Sequence, residues 1–122
     1  MRLFKFRKFV KWAKSESVSD SMLIKALNEL EQGLFDANLG SGLYKKRIAR
    51  LGSGKSRGYR VLLAFRKEDR VIFIFGFAKN EISNIDDETK EAFQRLAQYY
   101  LSLNDDELKV IINEGDLIEV IL

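Results

Sequence analysis

Tyr59-Arg-Val-Leu-Leu-Ala-Phe-Arg66, then Lys67-Glu-Asp-Arg70, then Val71-Ile-Phe-Ile-Phe-Gly-Phe-Ala78 is the stretch that decides how this chain folds. In the first run Tyr59, Val61, Leu63 and Phe65 fall on one face and Arg60, Leu62, Ala64 and Arg66 on the other, the period of two that marks a strand. The polar quartet supplies a tight turn. The last run is apolar on both faces, as a strand in the middle of a sheet must be.

Immediately upstream stands the heptapeptide Gly52-Ser-Gly-Lys-Ser-Arg-Gly58, which resembles a phosphate-binding loop until its spacing is checked. Such a loop needs a glycine five positions before Gly54, where this chain has Ala49, and it must open a helix, whereas a strand pattern follows Ser56. The dinucleotide fingerprint fails too, because Gly58 comes one residue too late. The heptapeptide is therefore expected to be a glycine-rich hairpin connection with Lys55 and Arg57 at its tip. Tyr44 to Arg50 is the strand before it, and period-two geometry puts Lys45 and Arg47 on a common face.

Further out, Arg2 to Phe6 alternates like a short strand and leads into a short helix carrying Phe9, Trp12 and Ala13. Ser19 is placed to cap a second helix with a Met22, Leu23, Ala26, Leu27 and Leu30 stripe and a stop at Gly33, and Asp36 to Gly42 reads as loop. After the central strands, Asp86, Asp87 and Glu88 open a helix whose core stripe is Phe93, Leu96, Ala97, Tyr100 and Leu101. Asn104-Asp-Asp-Glu107 has capping-box spacing, Gly115 ends that last helix, and Leu117 to Ile121 is a final strand. The expected fold is a single α+β domain over 1–122, in the order β-α-α-β-β-β-α-α-β, with a mostly antiparallel sheet.

The chain has 122 residues, 46% apolar and 11% aromatic, enough for one modest core. It holds no cysteine and no apolar run able to span a bilayer, and charges interrupt its basic N-terminal stretch too often for a secretory signal. A reducing, cytoplasmic setting without membrane contact is the expectation. With no histidine, a zinc site of ordinary type and an imidazole base are both excluded.

Net charge is only +3 but strongly segregated: residues 45–70 hold ten bases against Glu68 and Asp69, and residues 81–122 hold eleven acids against three bases. That asymmetry points to a cationic surface for a polyanion, the alternative being ordinary solvated faces that mix in three dimensions.

Ala37-Asn-Leu-Gly-Ser-Gly42, Tyr44-Lys-Lys-Arg47, Gly52 through Arg60, Phe75-Gly-Phe-Ala-Lys-Asn-Glu81 and Asn84, in that order, resemble the RelE/ParE toxin superfamily, and within it the RelE/HigB-like branch. The resemblance implies a compact sheet with helices packed on one side. It also implies a cytoplasmic type II toxin that cuts messenger RNA on the ribosome, without metal or cofactor, through attack of the ribose 2′-hydroxyl on the adjacent phosphate. An antitoxin encoded beside it, of helix-turn-helix type by expectation, would hold it inactive. Carried over by motif, the site residues are Tyr44, Lys45 and Arg47, then Gly58, Tyr59 and Arg60, then Lys79 and Asn80. Asn80 stands where some of these toxins carry an arginine, and no tyrosine lies near Asp86 where they stack a base.

Cleavage by a 2′-hydroxyl requires a proton acceptor, neutralisation of the crowded phosphate, and protonation of the leaving 5′-oxygen. Lys45 is the candidate base, set among Lys46, Arg47, Arg57 and Arg60, whose like charge favours its neutral form. Arg60, with Arg47 or Arg66, is the candidate phosphate stabiliser, and Lys79 or Lys55 the acid or backbone clamp. Lys46, Arg50, Lys55, Arg57 and Arg66 are expected to grip the RNA backbone, and Tyr59 or Phe77 to give an aromatic platform. The row Phe73, Phe75 and Phe77 is otherwise expected in the core, or under a docked antitoxin. Two other readings stay open at this level: a ParE-like inhibitor of DNA gyrase acting by protein contact, and an RNA-binding module that does not cut.

Overall fold

The computed structural model describes residues 1–49, 58–78 and 85–122 in full and the backbone of 50 and 54–57. In chain order the elements are β1 (Arg2–Phe6), α1 (Arg7–Ser15), α2 (Asp20–Glu31), β2 (Ala37–Gly40), β3 (Leu43–Arg50), β4 (Gly54–Arg66), β5 (Arg70–Ala78), α3 (Asp87–Ser102), α4 (Asp105–Asn113) and β6 (Leu117–Val120). They build a six-stranded sheet in the order β2-β3-β4-β5-β1-β6, in which β1 runs parallel to β5 and the other pairs are antiparallel. The α+β class and the expected order of elements are observed. One short strand is added.

That strand, β2, lies inside the segment expected to be loop. Its Ala-Asn-Leu-Gly composition has no strand signal of its own, and what makes it a strand is pairing with β3 through Ala37–Lys45 and Asn38–Tyr44. A two-residue turn closes the hairpin, Ser41 and Gly42 both at positive φ (59° and 81°), which is the twist such a turn needs. The heptapeptide is corrected in the same way: β4 begins at Gly54, opposite Arg50, so the backbone of Lys55 and Arg57 belongs to a strand and not to a turn tip.

The helices do not lie on one side of the sheet as the resemblance implies. Along β4, Val61 and Leu63 are as buried as Leu62 and Ala64, so both faces need a cover. Leu3, Val61, Leu63, Val71 and Phe73 pack under α1 and α2, against residues such as Phe9, Leu23 and Leu27. Phe4, Leu62, Ala64, Ile72 and Phe77 pack under α3 and α4, against Ala97, Tyr100 and Leu108. Each fully buried Val, Leu, Ile or Phe side chain among these contributes about 1.5–3 kcal/mol through removal of apolar area from water.

A bulge in β5 decides which face its aromatics serve. Leu62 pairs with Phe75 but Leu63 with Phe73, so Ile74 is the extra residue and the alternation reverses across it. Phe73 meets Phe9 at 5.6 Å under α1, whereas Phe75 lies 5.4 Å from Phe93 of α3 and 5.9 Å from Phe77. The row of three phenylalanines is thereby split between two layers. The same reversal turns Gly76 toward Trp12, whose ring would sit 2.3 Å from a Cβ there, so only glycine admits the indole.

Local chemistry secures the helices that frame the sheet. Ser19 Oγ accepts from the Met22 amide at 3.3 Å and Asp86 Oδ1 from the Thr89 amide at 2.7 Å, and Asn104 and Glu107 cap each other reciprocally at 2.8 and 2.9 Å. The hydrogen bond from Thr89 holds the Asp86 carboxyl below its ordinary range. At the other end of α3, the buried Arg70 donates through Nη1 to the carbonyls of Tyr100 (2.9 Å) and Leu103 (2.8 Å), groups left without partners by the end of the helix. Tyr100 donates its hydroxyl to Asp116 at 2.9 Å, and burial raises its pKa. A bidentate contact of Arg2 with Glu119, at 2.8 and 3.0 Å, fastens β1 to β6 and keeps the Glu119 carboxyl below its usual range. Among the described residues no helix is long and apolar enough to cross a membrane.

Candidate functional site

The register of β3 on β4 sets Lys45 opposite Leu62 and Arg47 opposite Arg60. Period two then puts Lys45, Arg47 and Arg60 on one face, the face that carries Leu62 and Phe77 and is covered further along by α3. Lys45 and Arg47 share a face, as their spacing predicts. Two like charges directly opposite on neighbouring strands destabilise a sheet unless something neutralises them.

Asp36 does so. Its amide donates to the carbonyl of Lys45 at 2.9 Å, which fixes the residue beside β3 just before β2 starts. From there Oδ1 lies 3.1 Å from Arg47 Nε and Oδ2 lies 3.5 Å from Arg60 Nε. The carboxylate thus bridges the two guanidiniums, one oxygen to each. Arg60 is only 15% exposed, and its Nη1 is buried with no hydrogen-bond acceptor among the described residues. A buried donor left unpaired costs about 1–3 kcal/mol, which an anionic oxygen delivered by a ligand would recover. Lys45, Arg47 and Arg60 together outweigh the single charge of Asp36, so this patch retains positive charge.

Next to it the sheet turns apolar. Phe77 pairs with Arg60 across β4 and β5, and a hollow opens between Leu62, Phe75 and Phe77 of the sheet and Ile85, Asp86, Thr89 and Phe93 around the start of α3. Phe75 is 37% exposed and forms part of that wall. A cationic patch flanked by an aromatic hollow suits a polymer of charged linkers and flat apolar bases.

Several residues expected at the site lie elsewhere. Lys46 is only 3% exposed and points to the opposite face, where its Nζ meets Glu29 of α2 at 2.8 Å. It is one residue out of phase with Lys45 and Arg47, so helix α2 covers it on the face opposite to theirs. Tyr59 is buried on that same covered face, stacked edge-on with Trp12 at 5.3 Å, its hydroxyl donating to the Glu16 carbonyl at 3.1 Å. It offers no platform. Phe77 lies on the site face but is closed into the core, leaving Phe75 as the more open ring of the pair.

Arg66 is exposed but sits at the far end of β4, opposite Arg70, with Nε on Asp69 at 2.8 Å. Six residues of extended chain, about 20 Å, separate it from Arg60. Lys79 and Asn80 lie outside the described residues, as do the side chains of Arg50, Lys55 and Arg57; β5 itself ends at Ala78, opposite Tyr59.

Sequence reasoning missed Asp36. One signal was there: it is the sole acid between Glu31 and Glu68, at the head of a long cationic stretch. Its partners were not legible, because β2, the pairing that brings it beside β3, has no strand signature.

Residues 1–120 match the family described as the RelE toxin of the RelE/RelB toxin–antitoxin system. No curated protein is significantly similar to the chain in sequence.

Proposed function

The chain belongs to the RelE family, the toxins of RelE/RelB-type toxin–antitoxin systems, and on that premise we propose that it arrests translation by cutting messenger RNA held on the ribosome. The observation that carries this reading is the facing pair Arg47 and Arg60, drawn together by Asp36, with Arg60 Nη1 buried and without an acceptor among the described residues. Two guanidiniums side by side match the oxygens of a single phosphodiester. An inhibitor that works by protein contact has no use for cations converging on such a point.

In the proposed reaction the ribose 2′-oxygen attacks the neighbouring phosphorus and the bond to the 5′-oxygen breaks, leaving a 2′,3′-cyclic phosphate and a 5′-hydroxyl end. Lys45 is assigned the proton of the 2′-hydroxyl. Arg60 and Arg47 hold the non-bridging oxygens and stabilise the charge that builds on them, a preorganised contribution typically worth about 10²–10³ in rate per donor group. Lys79 is assigned the proton that the 5′-oxygen takes up as it leaves. The nucleophile comes from the substrate itself, so no metal or cofactor is invoked in this scheme. The hollow beside Phe75 receives an adjoining base.

Toxins of this family pair with an antitoxin. We assign this chain a helix-turn-helix antitoxin and, as its target complex, the ribosome with bound mRNA. Inducing the toxin in cells and mapping mRNA 5′ ends tests the reading. Cuts in register with codons support it, DNA damage without such cuts supports gyrase inhibition, and neither outcome supports a binder that does not cleave.

A further inference from the structure

Asp36 touches both arginines through the same atom of each. In Arg47 and in Arg60 the contacting nitrogen is Nε, at 3.1 and 3.5 Å, so the carboxylate anchors each guanidinium by its inner edge. Nη1 of Arg60 lies apart from that contact, buried and without an acceptor among the described residues. The carboxylate is itself held: Asp36 is tied to Lys45 through its amide at 2.9 Å, and the next residue, Ala37, pairs with Lys45 in the sheet. Its side chain is 18% exposed, which limits its freedom to swing into solvent.

A carboxylate in this place has two conceivable effects on a phosphate ligand. It repels the ligand, and it orients the cations that bind it. Nε anchoring favours orientation, because the gripping nitrogens are not the ones that Asp36 occupies. We propose that Asp36 is the positioning residue of this site, fixing Arg47 and Arg60 in the relative orientation in which both grip one RNA phosphate, and that it keeps its two contacts while the phosphate is bound. The inference rests on the phosphodiester-cleaving reading of the site.

The test compares wild type with D36N and D36E, using cleavage of mRNA on programmed ribosomes and binding of an uncleavable oligonucleotide with 2′-deoxyribose at the cut site. D36N keeps the size of the side chain but loses the charge that holds two guanidiniums at once. Its single-turnover cleavage should fall about tenfold to a hundredfold, the range over which small misplacements act. Its affinity for the uncleavable oligonucleotide should be unchanged or higher, since one repelling charge is gone, and its melting temperature should stay close to that of wild type. D36E should recover part of the rate. Wild-type cleavage by D36N overturns the proposal, as does a loss of rate matched by an equal loss of binding or by early melting.

If the wild type cuts no mRNA, the nuclease reading falls by itself, and the positioning role is then decided on the Arg47 and Arg60 Nε–H resonances during titration with inorganic phosphate. A shared midpoint in wild type that splits into two in D36N upholds it. Identical titrations in both proteins overturn it.

Discussion

Where α1 and α2 cover β3 and β4, polar groups are sealed in: Lys46 is closed into an ion pair with Glu29, and Tyr59 spends its hydroxyl on a backbone carbonyl beneath Trp12. On the opposite face, beside the start of α3, Arg47 and Arg60 pair with Asp36 and Lys45 shares their face, next to a mostly apolar hollow. The same two strands supply both sets, and Lys45 and Lys46 are neighbours in the chain. What separates a structural cation from a candidate catalytic one here is strand parity and helix cover, not residue type. A buried pair must be complete to be tolerated, whereas Nη1 of Arg60 has no acceptor among the described residues.

The sharpest way to break this comparison is Arg60→Ala. Ribosome-dependent cleavage should fall about 10²–10³-fold with little change in melting temperature, read as single-turnover rates beside a thermal melt. Undiminished cleavage would remove Arg60 from the site. On the sealed face Lys46→Ala should do the converse, destabilising by about 3 kcal/mol, the lower end for a broken buried pair because Glu29 keeps some solvent contact, while the folded fraction cleaves at the wild-type rate. Replacing both Lys46 and Glu29 by apolar residues should restore most of that stability in denaturant titrations.

Gly76→Ala asks how tightly the sealed layer is packed. The added methyl has to displace the Trp12 ring, and a loss of about 1–3 kcal/mol is expected, with a change in tryptophan fluorescence. Tyr59→Phe removes a hydrogen bond beneath that indole and should lose about 0.5–1.5 kcal/mol of stability without changing RNA affinity; weakened RNA binding at unchanged stability would return Tyr59 to the interface. Smallest of all is Arg66→Ala. Its exposed pair with Asp69 should be worth under about 1 kcal/mol, and cleavage should be unaffected.

Much of this architecture was legible before folding. Ser19 and Asn104 announce their helices because an N-cap acts within one turn, the acids from Asp86 to Glu88 announce theirs by complementing the helix dipole, and β5 declares itself central because each of its faces is apolar. The shared face of Lys45 and Arg47 follows from the period of a strand. Other features had no local signal. The bulge at Ile74, which sends Phe75 to the α3 side and Gly76 to Trp12, arises from how β5 registers on β4, and alternation alone assigned Phe73, Phe75 and Phe77 to one row. β2 has the composition of a turn and becomes a strand only by pairing with β3.

By itself, then, the sequence determined the α+β class, the order of its elements, the segregation of charge toward β3 and β4, and the family motifs, because each depends on periodicity, capping or composition within a few residues. The tertiary structure alone decided that Lys46, Tyr59 and Arg66 are not at the site, that helices cover both faces, and that Asp36 bridges Arg47 and Arg60. Those outcomes depend on cross-strand register and on which helix lies over which face, and both are settled by contacts between segments far apart in the chain.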